Sequence, residues 1–308
     1  MATQTEIVLR APALDDVPAV AALSAEMEEA HGSGGMSEAQ VRDRFNSELR
    51  KPEDSYRLAE LDGRIVGWVA SWYPDETSER IFVDIEAYPR DEAVFARLLE
   101  WGEERARRFA GGRRVRIHVG AAEGNDVLAE LLRRRGFELV RHFFRMETEL
   151  EEEPAWPAWP DGISVRTFRA ADERAVYDAD LEAFRDHWDF FPVSFERWRD
   201  YFFASSEFDP RLWFLAEDGD ELAGISLCWS ERRPETGHVN VLGVRRPWRR
   251  RGLATALLLH SFYELRRRGR ARADLNVDGE NLTGAVRLYE RAGMRVAHRN
   301  DAYRKEIS

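Results

Sequence analysis

Val239–Leu258 reads VNVLGVRRPWRRRGLATALL: an apolar strand-like run, a loop of arginines closed by Gly252, and at once a helix that opens with small residues. A helix N-terminus presents unsatisfied backbone N–H groups and a partial positive charge of about half an elementary unit, which suits a phosphate. Gly252 lets the backbone come close to an anion, and Ala254 keeps the first turn uncovered. The chain carries a formal net charge of −11, so the cluster Arg245, Arg246, Arg249, Arg250 and Arg251 is a dense local exception. Taken alone the pattern also fits a solvated basic turn. As a site, its expected ligand is a pyrophosphate.

Outward from this stretch the chain reads as two copies of one arrangement. Ile7–Arg10 and Ile163–Arg169 each look like a strand leading into an acid-capped helix, from Asp15 and from about Asp172. Two hairpins follow, Tyr56–Glu60 with Ile65–Trp72 and Leu212–Glu217 with Leu222–Trp229, turning at Asp62-Gly63 and Asp218-Gly219-Asp220. Then come the strand Ile81–Ala87 with the helix Glu92–Phe109, matched by the strand His238–Val244 with the helix Thr255–Arg268. The period is roughly 156 residues, as from Ile7 to Ile163 or from Asn125 to Asn281, and a tandem duplication explains it. At 308 residues the length suits two domains, read here as 1–150 and 163–308 with a linker at 151–162. The acidic, Pro- and Trp-rich run Glu149–Gly162 reads as extended chain, tacked onto a domain surface by Trp156 and Trp159.

Arg249-Arg250-Arg251-Gly252-Leu253-Ala254, preceded by Val244 and Pro247, resembles the R/Q-x-x-G-x-G/A signature of the N-acetyltransferase superfamily. Downstream, Leu275-Asn276-Val277, then Asn281, then Leu288-Tyr289-Glu290-Arg291-Ala292-Gly293-Met294 resembles its closing strand, asparagine and helix. The resemblance implies an α/β (α+β) fold of two tandem domains, each a mixed, mostly antiparallel sheet flanked by helices. It also implies acetyl-CoA as cofactor and transfer of the acetyl group to an amine. Carried over residue by residue, Leu242, Gly243 and Val244 line the pantetheine, Arg249, Arg250, Arg251, Gly252, Leu253, Ala254 and Thr255 bind the diphosphate, and Asn276 and Asn281 contact the coenzyme arm. The strand next to the loop strand is Ala273–Val277. Tyr289 matches the general acid.

Where the superfamily often has a basic glutamate, this chain has His238. Its imidazole can relay an ammonium proton, although a histidine at a strand start is also commonly a surface residue. Asn240, two residues on, is expected on the same side of the strand, where it orients a water or the acceptor. The aromatic stretch Phe184–Phe191 (FRDHWDFF) places Asp186, His187 and Trp188 as acceptor-binding candidates or, on the other reading, as a plain hydrophobic lid. The first copy lacks the phosphate loop: Glu86–Glu92 has neither glycine nor arginine cluster, and Leu132 stands where Tyr289 does. The whole layout resembles tandem acetyltransferases of the mycothiol synthase type, with activity expected in the second copy.

Composition limits the remaining classes. With 44% apolar and 33% charged residues the chain is globular. It has no long apolar run and no leader-like start, which reads as cytoplasmic and not membrane-bound. The acidic balance argues against nucleic-acid binding and favours a small-molecule amine partner. One cysteine, Cys228, makes neither a disulfide nor a metal site, and its apolar context reads as packing. Lys51 and Lys305 are the only lysines. Two other functions fit the same motif: a non-catalytic acyl-CoA sensor or scaffold, and a protein acetyltransferase acting on N-termini or lysines. A monomer and a homodimer are both compatible with the sequence.

Overall fold

The computed structural model describes residues 6–32, 35–281 and 284–308. In chain order the elements are β1 Val8–Arg10, α1 Val17–His31, α2 Glu38–Asn46, α3 Pro52–Ser55, β2 Tyr56–Leu61, β3 Arg64–Trp72, β4 Arg80–Ala87, α4 Glu92–Ala110, β5 Val115–Ala122, α5 Asp126–Arg134 and β6 Glu138–Glu149. After them come β7 Ile163–Thr167, α6 Glu173–Phe184, α7 Phe195–Phe203, β8 Trp213–Asp218, β9 Glu221–Arg233, β10 Thr236–Val244, α8 Leu253–Arg267, β11 Arg272–Asp278, α9 Ala285–Arg291 and β12 Arg295–Ile307.

Two compact units result: Met1–His142 with His298–Ser308, and Phe143–Ala297. Unit 1 builds an antiparallel series from β1 to β4, adds β5 parallel to β4, and ends on the β12 residues Asn300–Ile307, which pair with β5. Unit 2 runs antiparallel from β7 to β10, adds β11 parallel to β10, and ends on the β6 residues Phe143–Glu149, which pair with β11. Each unit is therefore a mixed, mostly antiparallel sheet with helices on its faces. The units change over at residues 142/143 and 297/298, whereas the sequence reading placed the changeover in the 151–162 run. Alternation marks a strand without naming its partner, so the pairing of Asn300–Ile307 with β5 left no local trace.

Local chemistry explains the elements. Between β2 and β3, Asp62 (φ 50°) and Gly63 (φ 75°) both take the left-handed region, the geometry of a two-residue hairpin turn that follows strand twist. Residues of one parity on β4, such as Ile81, Val83 and Ile85, pack with Phe95, Leu98 and Leu99 of α4, while Val17, Val20 and Leu23 of α1 join Leu58 and Trp68 on a second core. Unit 2 repeats this. Leu253, Leu257 and Phe262 of α8 pack with Val239 and Leu275, and Val176, Tyr177 and Ala179 of α6 pack with Trp213, Ile225 and Val241. The 151–162 run carries no helix or strand; Trp159 packs edge-on against His260, and Trp156, 68% exposed, against Tyr263. Cys228 is wholly buried, and burial pushes its thiol up to about 11, as packing requires. No described helix is long and apolar enough to cross a membrane.

Candidate functional site

β10 and β11 pair over only three rungs, Thr236↔Arg272, Gly237↔Ala273 and His238↔Asp274, although both strands run on to Val244 and Asp278. Beyond the last rung they part, and a cavity of about 580 Å³ opens between them. β10 lines it with Asn240, Leu242, Gly243 and Val244, and β11 with Asn276 and Asp278. Unpaired strand backbone in a cleft is a row of hydrogen-bonding groups awaiting a partner. Gly243 has a steric reason: a Cβ there would sit 2.8 Å from the Cβ of Ala183, so the residue lets α6 close on β10.

The N-terminus of α8 forms one end of this cavity. Gly252 is its N-cap at φ 86°, no side chain caps the helix, and Gly252, Leu253, Ala254 and Thr255 all line the cavity. Arg250, at φ 61°, lines it too. The rest of the arginine cluster is spent differently from the sequence expectation. Arg249 reaches the lining but donates to the Val244 carbonyl (3.1 Å), to Asp186 (2.8 Å) and to the Ala183 carbonyl (3.3 Å), tying the loop to the end of α6. Arg245 donates to Glu182 and Arg246 to Asp186. Arg251 is not part of the lining; it faces the Asp161 carbonyl and Asp218. The cavity thus meets backbone amides first and guanidinium groups second.

Tyr289, on α9, lines the cavity at 9% exposure, and burial pushes its phenol up to about 12, so it holds its proton across the neutral range. Asn281 lines it as well. Asn240 sits at an irregularity in the β9–β10 register, between Val239 and Val241, and Tyr201 on α7 donates to its side-chain oxygen at 3.4 Å. The sequence reading put His238 and Asn240 on one open side of the strand. Instead His238 is 2% exposed, stands outside the cavity lining, stacks on Trp229, and bonds through Nδ1 to Asp274 at 2.6 Å.

The acceptor candidates also separate. His187 lines the cavity with its imidazole held below the usual range by burial. Asp186 is not in the lining; hydrogen bonds from Arg249 and Arg246 hold its carboxyl below the usual range, and it works as a clamp on the loop. Trp188 is outside the lining and lies against Phe143. Phe143, Ala183, Phe184, Trp248 and Asp278 line the cavity without having been singled out for it. Phe143 falls in the 1–150 stretch that the sequence assigns to the first copy, and Asp278 is the last residue of β11, with no motif to mark it.

Residues 174–294, which hold every cavity-lining residue except Phe143, match the description "Acetyltransferase (GNAT) family". A GCN5-related N-acetyltransferase from Sphaerobacter thermophilus shares 34% identity with the chain, covering 97% of this chain and 95% of its own, at a TM-score of 0.78. This chain belongs to the GNAT family. A tandem GNAT protein from the clavulanic acid biosynthesis pathway shares the fold over 98% of both chains, with a TM-score of 0.75 at 17% identity. Among curated relatives, mycothiol acetyltransferase of Streptomyces scabiei is 32% identical over 193 residues, which is 62% of this chain and 62% of the relative. The match thus spans under two thirds of that GNAT relative. With the two units, the chain is a tandem GNAT protein.

Proposed function

We propose that unit 2 binds acetyl-CoA along the parted β10 and β11 and passes its acetyl group directly to the amine of a small molecule. The observation that carries the reading is the cavity opening at the His238↔Asp274 rung, with the uncapped N-terminus of α8 at one end. Acetyl-CoA supplies the acetyl thioester. Its diphosphate suits the amides of Gly252, Leu253, Ala254 and Thr255, with Arg250 alongside, and its pantetheine arm fits against the free edge of Leu242, Gly243 and Val244, with Asn276 and Asn281 opposite.

The amine nitrogen forms a bond to the acetyl carbon as the carbon–sulfur bond breaks, and the departing thiolate takes a proton. Tyr289, protonated at neutral pH, is placed to give that proton. Of the two imidazoles considered, His187 lines the cavity and burial keeps it neutral, so it is the one fitted to receive the proton from the ammonium. Holding both reactants in one cleft supplies acceleration by orientation alone. The name of the Streptomyces relative, a mycothiol acetyltransferase, supports a small metabolite as acceptor.

Calorimetric titration of the full chain with acetyl-CoA tests the cofactor assignment, together with Gly252→Glu and a variant altered at Tyr88–Glu92. One site per chain, lost only with the Gly252 change, supports unit 2 as the working unit; thiol release then identifies the amine. No binding overturns the assignment.

A further inference from the structure

The three groups at the mouth of the strand gap have so far no role. Asp274 is 1% exposed; it accepts from His238 of β10 and from Arg233 of β9, and so joins three strands at one point. Its carboxyl is held below the usual range: burial pushes it up, but the His238 hydrogen bond and the His238, Arg233 and Arg145 charges outweigh that. The placement is specific. His238↔Asp274 is the last paired rung before β10 and β11 diverge, and the β9–β10 register is irregular on either side of it, between Thr236 and His238 and between Val239 and Val241. Two residues further along each strand come Asn240 and Asn276, both in the cavity lining. Trp229 packs flat on the imidazole, and Tyr201 lies tilted against Trp229.

A buried carboxylate held by two cationic or donor partners is strong against shear, because sliding either strand leaves a charge unpaired in a low-dielectric setting. We propose that the His238–Asp274 pair is a clasp that fixes where the two strands part, and that it is thereby a positioning device for Asn240, Asn276 and the slot between them. In this role His238 takes no proton from the acceptor. The inference rests on the reading that acetyl-CoA occupies the gap.

The test is calorimetry with acetyl-CoA on full-length wild type, His238→Ala, His238→Gln and Asp274→Asn, with thermal denaturation of each. Gln keeps a donor for Asp274 but cannot act as a base. The expected result is a dissociation constant raised about tenfold in His238→Ala and Asp274→Asn at unchanged stoichiometry, with His238→Gln within about threefold of wild type. Mere loss of fold lowers the number of sites and leaves the constant of the remainder unchanged, and that outcome overturns the clasp. So does wild-type affinity in His238→Ala. If His238→Ala does not fold, His238→Gln and Asp274→Asn decide: equal affinity in the two sinks the idea. Failure of wild type itself to bind acetyl-CoA removes the cofactor reading and the clasp together, and is recognised by the wild-type titration alone.

Discussion

Helices α4 and α8 follow matching strands in the two units, and their first turns are finished in opposite ways. Asp91 caps α4, its carboxylate accepting from the backbone N–H groups of Ala93 (2.8 Å) and Val94 (3.1 Å). At α8 the cap is Gly252, which has no side chain to offer, so the amides of that turn face the cavity. Alongside, Arg90 donates to the Gly124 carbonyl at 2.6 Å, linking the end of β4 to the loop after β5; the comparable ends of β10 and β11 stand apart around the cavity. A helix N-terminus satisfied by its own chain is a finished structural element, and one left unsatisfied is a binding site. The choice of cap, Asp91 against Gly252, accompanies a longer, arginine-rich loop before α8.

The contrast can be broken or sharpened in several ways. Tyr289→Phe is expected to lower kcat on the order of 1,000-fold while acetyl-CoA still binds; the equivalent position in unit 1 is Leu132, and Leu132→Ala would leave the acetyl-CoA affinity of unit 2 as it is. Turnover near wild type in the Phe variant, followed by thiol release, would remove Tyr289 from the chemistry. Gly252→Glu brings a carboxylate to the mouth of α8 much as Asp91 does at α4, and should weaken acetyl-CoA on the order of 100-fold. Since φ 86° strains any side chain, Gly252→Ala is its control: the Cβ meets no neighbour, so most of the affinity should remain.

Next comes pH. His187 and His31 occupy matching ends of the first helix in each unit, and burial lowers both imidazoles below their usual 6.5. If neutral His187 accepts the proton, kcat/KM is flat from about pH 6.5 upward and falls about tenfold per unit once the pH drops below its lowered value. His187→Gln abolishes that limb and His31→Gln does not; a limb centred above pH 7 would discard the assignment. The smallest effect is structural. Asp91→Ala should cost unit 1 about 1 kcal/mol in chemical denaturation, the usual loss of an N-cap, without altering acetyl-CoA affinity.

Much of this was legible because it is written in local chemistry. Asp62-Gly63 announced a hairpin through its tolerance of positive φ, and Gly252 announced an open helix start through its lack of a cap. The tandem repeat gave the order of elements. What escaped is what depends on distant partners. His238 reads as a strand-start surface residue until Asp274, 36 positions on, is seen to bury it. Asp186 reads as a carboxylate for an ammonium until the loop arginines claim it. Arg251 looks equivalent to Arg250 in a run of three, yet Arg250, at positive φ, reaches the lining and Arg251 does not.

The last strand has a consequence for how the protein is made. Unit 1 begins at the N-terminal end, but β5 acquires its neighbour only from Asn300–Ile307. Emerging from the ribosome, the first unit must wait, one strand short, while all of unit 2 is translated. The unit made second is thus the first whose residues are all available, and a single cut anywhere between the copies cannot release two finished halves.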